Sequence, residues 1–139
     1  MKLLLLILLV TGCAGLPGSY SIGGASPTEA EIIATAVDQW CAAVGWCPTR
    51  TNDGELHFSV TKRFEDDPFV RAHNEGDRIQ FDRTYFREYP EDLHVVALHE
   101  IGHLCTDHLS TGIMRADQTE ASDPVVDPAA IRAWHAGCD

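Results

Sequence analysis

The sequence predicts an α+β domain with a small mixed sheet, an N-terminal helix, a second helix carrying the candidate site, and a C-terminal helix. Three observations carry this expectation. Apolar residues recur at helical spacing in three separate segments, Ile32 to Val44, Leu93 to Leu104, and Ile131 to Trp134. Between the first two, Leu56, Phe58 and Val60 alternate with His57, Ser59 and Thr61, the period of a half-buried strand. The chain of 139 residues is long enough for one small domain and too short for a second.

Met1-Lys2 supplies a basic start, and Leu3 to Val10 is an apolar run too short to cross a bilayer, so residues 1–12 read as a signal peptide. Val10-Thr11-Gly12-Cys13 resembles a bacterial lipobox, which implies that Cys13 becomes a lipidated N-terminus; an ordinary secretory signal cut elsewhere is the alternative. Each buried acyl methylene adds about 0.8 kcal/mol of membrane affinity, so a lipidated Cys13 anchors the chain firmly. Residues 13–25 are rich in Gly and Ser with no apolar period, and are expected to be a flexible tether.

The domain proper is expected over residues 26–139. Ser26-Pro27-Thr28-Glu29 has the elements of a capping box, with a proline at the first helical position. Ile32, Ile33, Ala36, Val37, Trp40 and Val44 then form one stripe of a helix ending near Gly45. Pro48 to Gly54 is rich in turn formers and leads into the strand from Leu56 to Thr61, whose His57 faces away from the apolar side and reads as a surface or edge residue. Phe69 to Ala72 suggests a short strand, and Ile79 with Phe81 another. Pro90-Glu91-Asp92 starts the second long helix with acids that complement its dipole, and Leu93, Val96, Ala97, Ile101 and Leu104 line its buried side. Asp127-Pro128 opens the last helix, with Ile131 and Trp134 as packing residues.

A formal net charge of −11 and scattered arginines leave no basic stripe to displace counterions from phosphates, so a nucleic-acid partner is not expected. Cys41, Cys47, Cys105 and Cys138 are an even number in an exported domain, where disulfides persist. Three pairings are possible. Cys41 with Cys47, closing a tight loop around Gly45, and Cys105 with Cys138, tying the C-terminus to the candidate site, is the favoured one; buried free thiols are the alternative.

The chemistry concentrates in His99-Glu100-Ile101-Gly102-His103 and in His108 beyond it. His99 and His103 lie one helical turn apart, so both imidazoles leave the same face and can share a zinc ion, with Glu100 beside it as general base. His108, five residues past His103, would lie about 140° round an unbroken helix. The helix must therefore end soon after Leu104. Thr106 and Asp107 are poor helix formers, and Asp tolerates a left-handed backbone, so the chain is expected to turn back there and offer His108 as third ligand. Three histidines leave a fourth position open, as catalytic zinc requires.

This segment resembles the metzincin metalloproteases, most closely the matrixin-like group, whose motif is HExxHxxGxxH followed by a methionine-containing turn. The resemblance implies one catalytic Zn2+ held by His99, His103 and His108, Glu100 as the base that activates water toward a peptide carbonyl, and Thr111-Gly112-Ile113-Met114 as the Met-turn with Met114 beneath the metal. Ala36 to Trp40, Gly76 to Asp82 and Val126 to Ala133 are similar, in the same order, to the family's first helix, pre-site strand and closing helix. The expected partners are a protein or peptide substrate, laid along a sheet edge near Arg78 to Asp82, and a membrane reached through the lipid. The domain is expected to be a monomer. In a two-membrane bacterium Ala14 after Cys13 favours the outer membrane.

The sequence departs from the family pattern in several places. The step from His103 to His108 is one residue shorter and lacks the glycine of the motif. No strand is expected before the first helix, and the loop from His73 to Gly76 is too short for extra metal sites, so His73 and Asp82 are assigned to no metal. Asp107 in place of His108, or Glu120 with Asp123 as in the thermolysin-like group, are alternative sources of the third ligand. A lipid-anchored, non-catalytic zinc-binding or adhesion module is the alternative function.

Overall fold

The computed structural model describes residues 15–62, 71–116 and 124–138. The expected signal peptide, Cys13, Phe69, Val70, Glu120 and Asp123 lie outside the described residues. The described residues form the expected α+β architecture, a five-stranded mixed sheet with four helices, one of which, Arg83–Glu88, the sequence did not lead us to expect. Its elements are β1 (Ser19–Gly23), α1 (Pro27–Val44), β2 (Thr49–Arg50), β3 (Leu56–Thr61), β4 (Ala72–Asn74), β5 (Arg78–Asp82), α2 (Arg83–Glu88), α3 (Asp92–Gly102), a 3-10 turn (Gly112–Met114) and α4 (Pro128–Cys138).

The strands lie in the order β2-β1-β3-β5-β4, all parallel except β4, which pairs antiparallel with β5. Strand β1 corrects two expectations, the tether running to Ala25 and the absence of a strand before the first helix. Tyr20 pairs with Leu56 and Ile22 with Phe58, while β2 covers the other edge of β1. Flanked on both sides, Tyr20 and even Ser21 are buried. Tyr20 stacks edge-on against Phe58 at 5.8 Å. A second correction concerns the sheet edge: β4 covers β5, so the edge nearest the candidate site is Ala72–Asn74 and not Arg78–Asp82.

Helix α1 begins as its sequence dictates. Ser26 Oγ accepts from the Glu29 amide at 3.2 Å while Glu29 Oε2 accepts from the Ser26 amide at 2.7 Å, and Gly45 ends the helix in the left-handed conformation. Ile33, Ala36, Val37 and Trp40 are buried from its stripe, whereas Ile32 and Val44 are only partly covered. Trp40 reaches across to α3, where its Nε1–H donates to the Leu98 carbonyl at 2.9 Å. It also stacks on Trp134 of α4 with ring centroids 4.6 Å apart. Helix α3 is enclosed on more than one side, since Val95 and Leu98 are buried beside the expected Leu93, Val96, Ala97 and Ile101. Helix α2 follows directly from β5 because Asp82, buried at the strand end, caps it by accepting from the Thr84 amide at 2.7 Å and the Tyr85 amide at 3.2 Å. Cys41 is bonded to Cys47 and Cys105 to Cys138, the favoured pairing. No described helix is long and apolar enough to cross a membrane.

Candidate metal centre

Helix α3 delivers His99, Glu100 and, at its C-cap, His103. It stops where it must for His108 to return, but not by the expected means. Among the described residues no residue other than glycine has a positive φ, so Asp107 makes no left-handed turn. The helix instead tightens through successive short turns: the Leu104 amide donates to Ile101 at 3.0 Å, the Cys105 amide to Gly102 at 3.1 Å, and the Thr106 amide to the same Gly102 carbonyl at 2.9 Å. The chain then doubles back, and the Leu109 amide donates to the Met114 carbonyl at 2.9 Å, closing a compact loop.

This path brings His108 to the other two histidines. Its ring centroid lies 5.3 Å from that of His99 and 4.7 Å from that of His103, and one nitrogen of each of the three rings lies within 4.8 Å of the others. Asp107 does not belong to this convergent group. His57 is elsewhere, on β3, bonded through Nδ1 to Ser21 Oγ at 2.5 Å.

The hydrogen bonds around the rings decide which nitrogens face the centre. His99 Nδ1 lies 2.8 Å from the Ile113 carbonyl and His103 Nδ1 lies 2.9 Å from the Thr106 carbonyl. A carbonyl oxygen only accepts, so each Nδ1 carries a proton, and in the neutral form of either ring Nε2 presents a bare lone pair. Those two Nε2 atoms face each other at 3.0 Å. Two lone pairs at that distance repel, and a cation between them removes the conflict. Nitrogens bound at about 2.0–2.1 Å in a tetrahedral array lie about 3.3 Å apart, close to the observed separation. The donor set therefore fits a metal ion. Burial lowers the His99 pKa to about 4, outweighing the Ile113 carbonyl's opposite effect, and the neighbouring His103 and His108 add to the lowering; the ring stays neutral and ready to ligate.

Met114 is fully buried, and a methyl group on Gly102 would come within 2.2 Å of its sulfur, so the side chain lies directly against the end of α3. Asp127, which sequence reasoning placed only at the start of the last helix, holds the loop there. Asp127 Oδ2 accepts from the Ile113 amide at 2.8 Å, while Oδ1 accepts from the Ala129 and Ala130 amides, each at 3.1 Å, at the start of α4. Gly112, at φ 71°, sits so close to that carboxylate that a Cβ would lie 2.1 Å from Oδ2. The Asp-Pro pair marks Asp127 as a helix cap in the sequence, but nothing local marks its second oxygen for Ile113. Asn74 of β4 is the other addition: its Nδ2 donates to the Glu100 carbonyl at 3.0 Å, fixing the edge strand against α3.

Burial raises the Glu100 pKa to about 7, against the opposing charge of His73 on β4. A carboxyl group with that pKa exchanges protons near neutrality. No protein-family model matches this chain, and no curated protein sequence is significantly similar to it.

Proposed function

We propose that this chain is a zinc-dependent endopeptidase of the metzincin type. The observation that carries the proposal is the pair of Nε2 atoms on His99 and His103 facing each other at 3.0 Å, with His108 as the third donor and the half-buried Glu100 in the next position of the helix. A bound zinc ion supplies Lewis acidity, polarising a carbonyl and lowering the pKa of water. Glu100 takes the proton from the attacking water on its carboxylate and returns it to the nitrogen of the leaving amine. Its elevated pKa suits both halves of that transfer, because the group is near balance between acid and base at neutral pH.

Strand β4 ends the sheet, so its outer edge offers backbone donors and acceptors to an extended peptide, and Asn74 keeps that edge at a fixed distance from Glu100. Export and lipid anchoring through Cys13 complete the proposal, on the sequence alone. The test is zinc content and peptide cleavage measured on the same preparations. Wild-type protein should hold one equivalent of zinc and cut a mixed peptide library. Glu100→Gln should keep the zinc and lose cleavage by at least about 100-fold, the usual worth of a general base. Zinc binding without any cleavage would transfer the proposal to a non-catalytic zinc module. Failure of wild-type protein to bind zinc would end it.

A further inference from the structure

The three histidines are held in two different ways. His99 and His103 are each oriented by a hydrogen bond from Nδ1 to a backbone carbonyl. The exposed ring of His108 has no such hydrogen bond among the described residues. Its position is therefore set by the backbone that carries it. That backbone is stapled midway between His103 and His108, where Cys105 is bonded to Cys138 at the end of α4. The staple is a close fit: a Cβ on Gly137 would lie 1.7 Å from the Cys105 carbonyl oxygen, and Cys138 Sγ lies 3.7 Å from the Leu104 carbonyl. At its other end α4 is fixed through Asp127 to Ile113, the residue whose carbonyl orients His99.

We infer that the Cys105–Cys138 disulfide is the positioning element for the third ligand, doing for His108 through the backbone what carbonyl oxygens do for His99 and His103. The inference rests on the metal-site reading above. Without the disulfide the five-residue step keeps its short turns back to Gly102 and the bond between the Thr106 carbonyl and His103, but the turn they form is no longer fixed to α4, and His108 spends part of its time away from the other two. The buried packing of α4 does not replace the staple, because it is carried by Ala130 and Trp134, whereas the helix meets the ligand step at its far end, beside Gly137 and Cys138.

The experiment is a double-mutant cycle read by zinc affinity, using competition with a chromogenic chelator. The proteins are wild type, C105A/C138A, His108→Ala and the triple variant, with C41S/C47S as the control disulfide. C105A/C138A should bind zinc about 10–100-fold more weakly, the range for losing the partner that orients a ligand. Adding His108→Ala to it should cost much less than His108→Ala does in wild type, since one ligand cannot be lost twice. C41S/C47S should bind as wild type. Unchanged affinity in C105A/C138A, or simple additivity with His108→Ala, would overturn the inference. Should C105A/C138A fail to fold by circular dichroism, folded C41S/C47S treated with a phosphine serves instead. Phosphine and water convert the remaining disulfide to two thiols and phosphine oxide, and zinc release must then speed up by a similar factor. His99→Ala separates the two levels of the argument: if it does not weaken zinc binding, the metal-site reading itself fails.

Discussion

Asp127 offers the most demanding test of how the site is supported, because its two carboxylate oxygens have separate tasks. Oδ1 caps α4 through the Ala129 and Ala130 amides, and Oδ2 takes the amide of buried Ile113. Asp127→Ala removes a helix cap, at about 1 kcal/mol, and leaves the Ile113 amide without its acceptor, at about 1–3 kcal/mol. The expected destabilisation is therefore about 2–4 kcal/mol. Asp127→Asn is the informative companion. Asn is a good cap, but its amide group has only one acceptor oxygen, so either the helix or Ile113 meets an NH2 group instead. It should lose about 1–3 kcal/mol although it is nearly isosteric. Urea unfolding at neutral pH with a chelator present, which removes any contribution from bound metal, reads both values. With a slope of about 1–3 kcal/mol per M, the Ala variant should shift the midpoint by on the order of 1 M or more. An Asn variant as stable as wild type would refute the division of labour between the two oxygens.

Three further outcomes are expected. Gly102→Ala places a methyl group 2.2 Å from Met114 Sδ and 3.0 Å from Trp40 Cζ2, so overpacking of about 1–3 kcal/mol should exceed the gain in helix propensity of at most about 1 kcal/mol; a more stable variant in thermal melts would contradict that packing. In chelator, two shifted groups oppose each other between about pH 4 and 7: burial keeps His99 neutral in the fold, so its contribution is full above about pH 6.5 and lost toward about 4, whereas that of Glu100, raised to about 7, is present at low pH and lost as the pH rises toward 7. The wild-type profile should therefore be nearly flat, and Glu100→Gln, measured by urea unfolding across this range, should expose the His99 slope of about 1.4 kcal/mol per pH unit and a total of about 3 kcal/mol; a flat profile in that variant would contradict the assignment. Ser26→Ala should cost about 0.5–2 kcal/mol in urea unfolding by removing half of the capping box, and an unchanged midpoint would mean the cap is frayed in solution.

Much of the site was legible because its signals are local. His99 and His103 share a face through helical period alone, and Ser26 with Glu29 caps α1 through a four-residue geometry that no distant residue can alter. The alternation of Leu56, Phe58 and Val60 likewise survives into the fold, because one face of β3 is buried and the other is not. The cysteine pairing follows from which segments the helices bring together.

Strand β1 was hidden for the opposite reason. Ser19-Tyr20-Ser21-Ile22-Gly23 has little apolar signal of its own, and its burial comes from β2 and β3 lying parallel on either side. The turn that returns His108 was foreseen in place but not in mechanism, since a left-handed Asp107 and a run of short turns from Gly102 to Thr106 leave the same trace in sequence. By itself the sequence determined three of the four described helices, the central strand, the chemical identity of the donors and the face on which two of them stand, all set by interactions within a few residues, whereas α2 was not foreseen. Only the tertiary structure decided which nitrogens face the centre, that Ile113 and Thr106 orient the rings, that Asp127 and Cys138 anchor the loops carrying them, and that β4 forms the edge. Those contacts join residues far apart in the chain, and their strength depends on burial that no local pattern records.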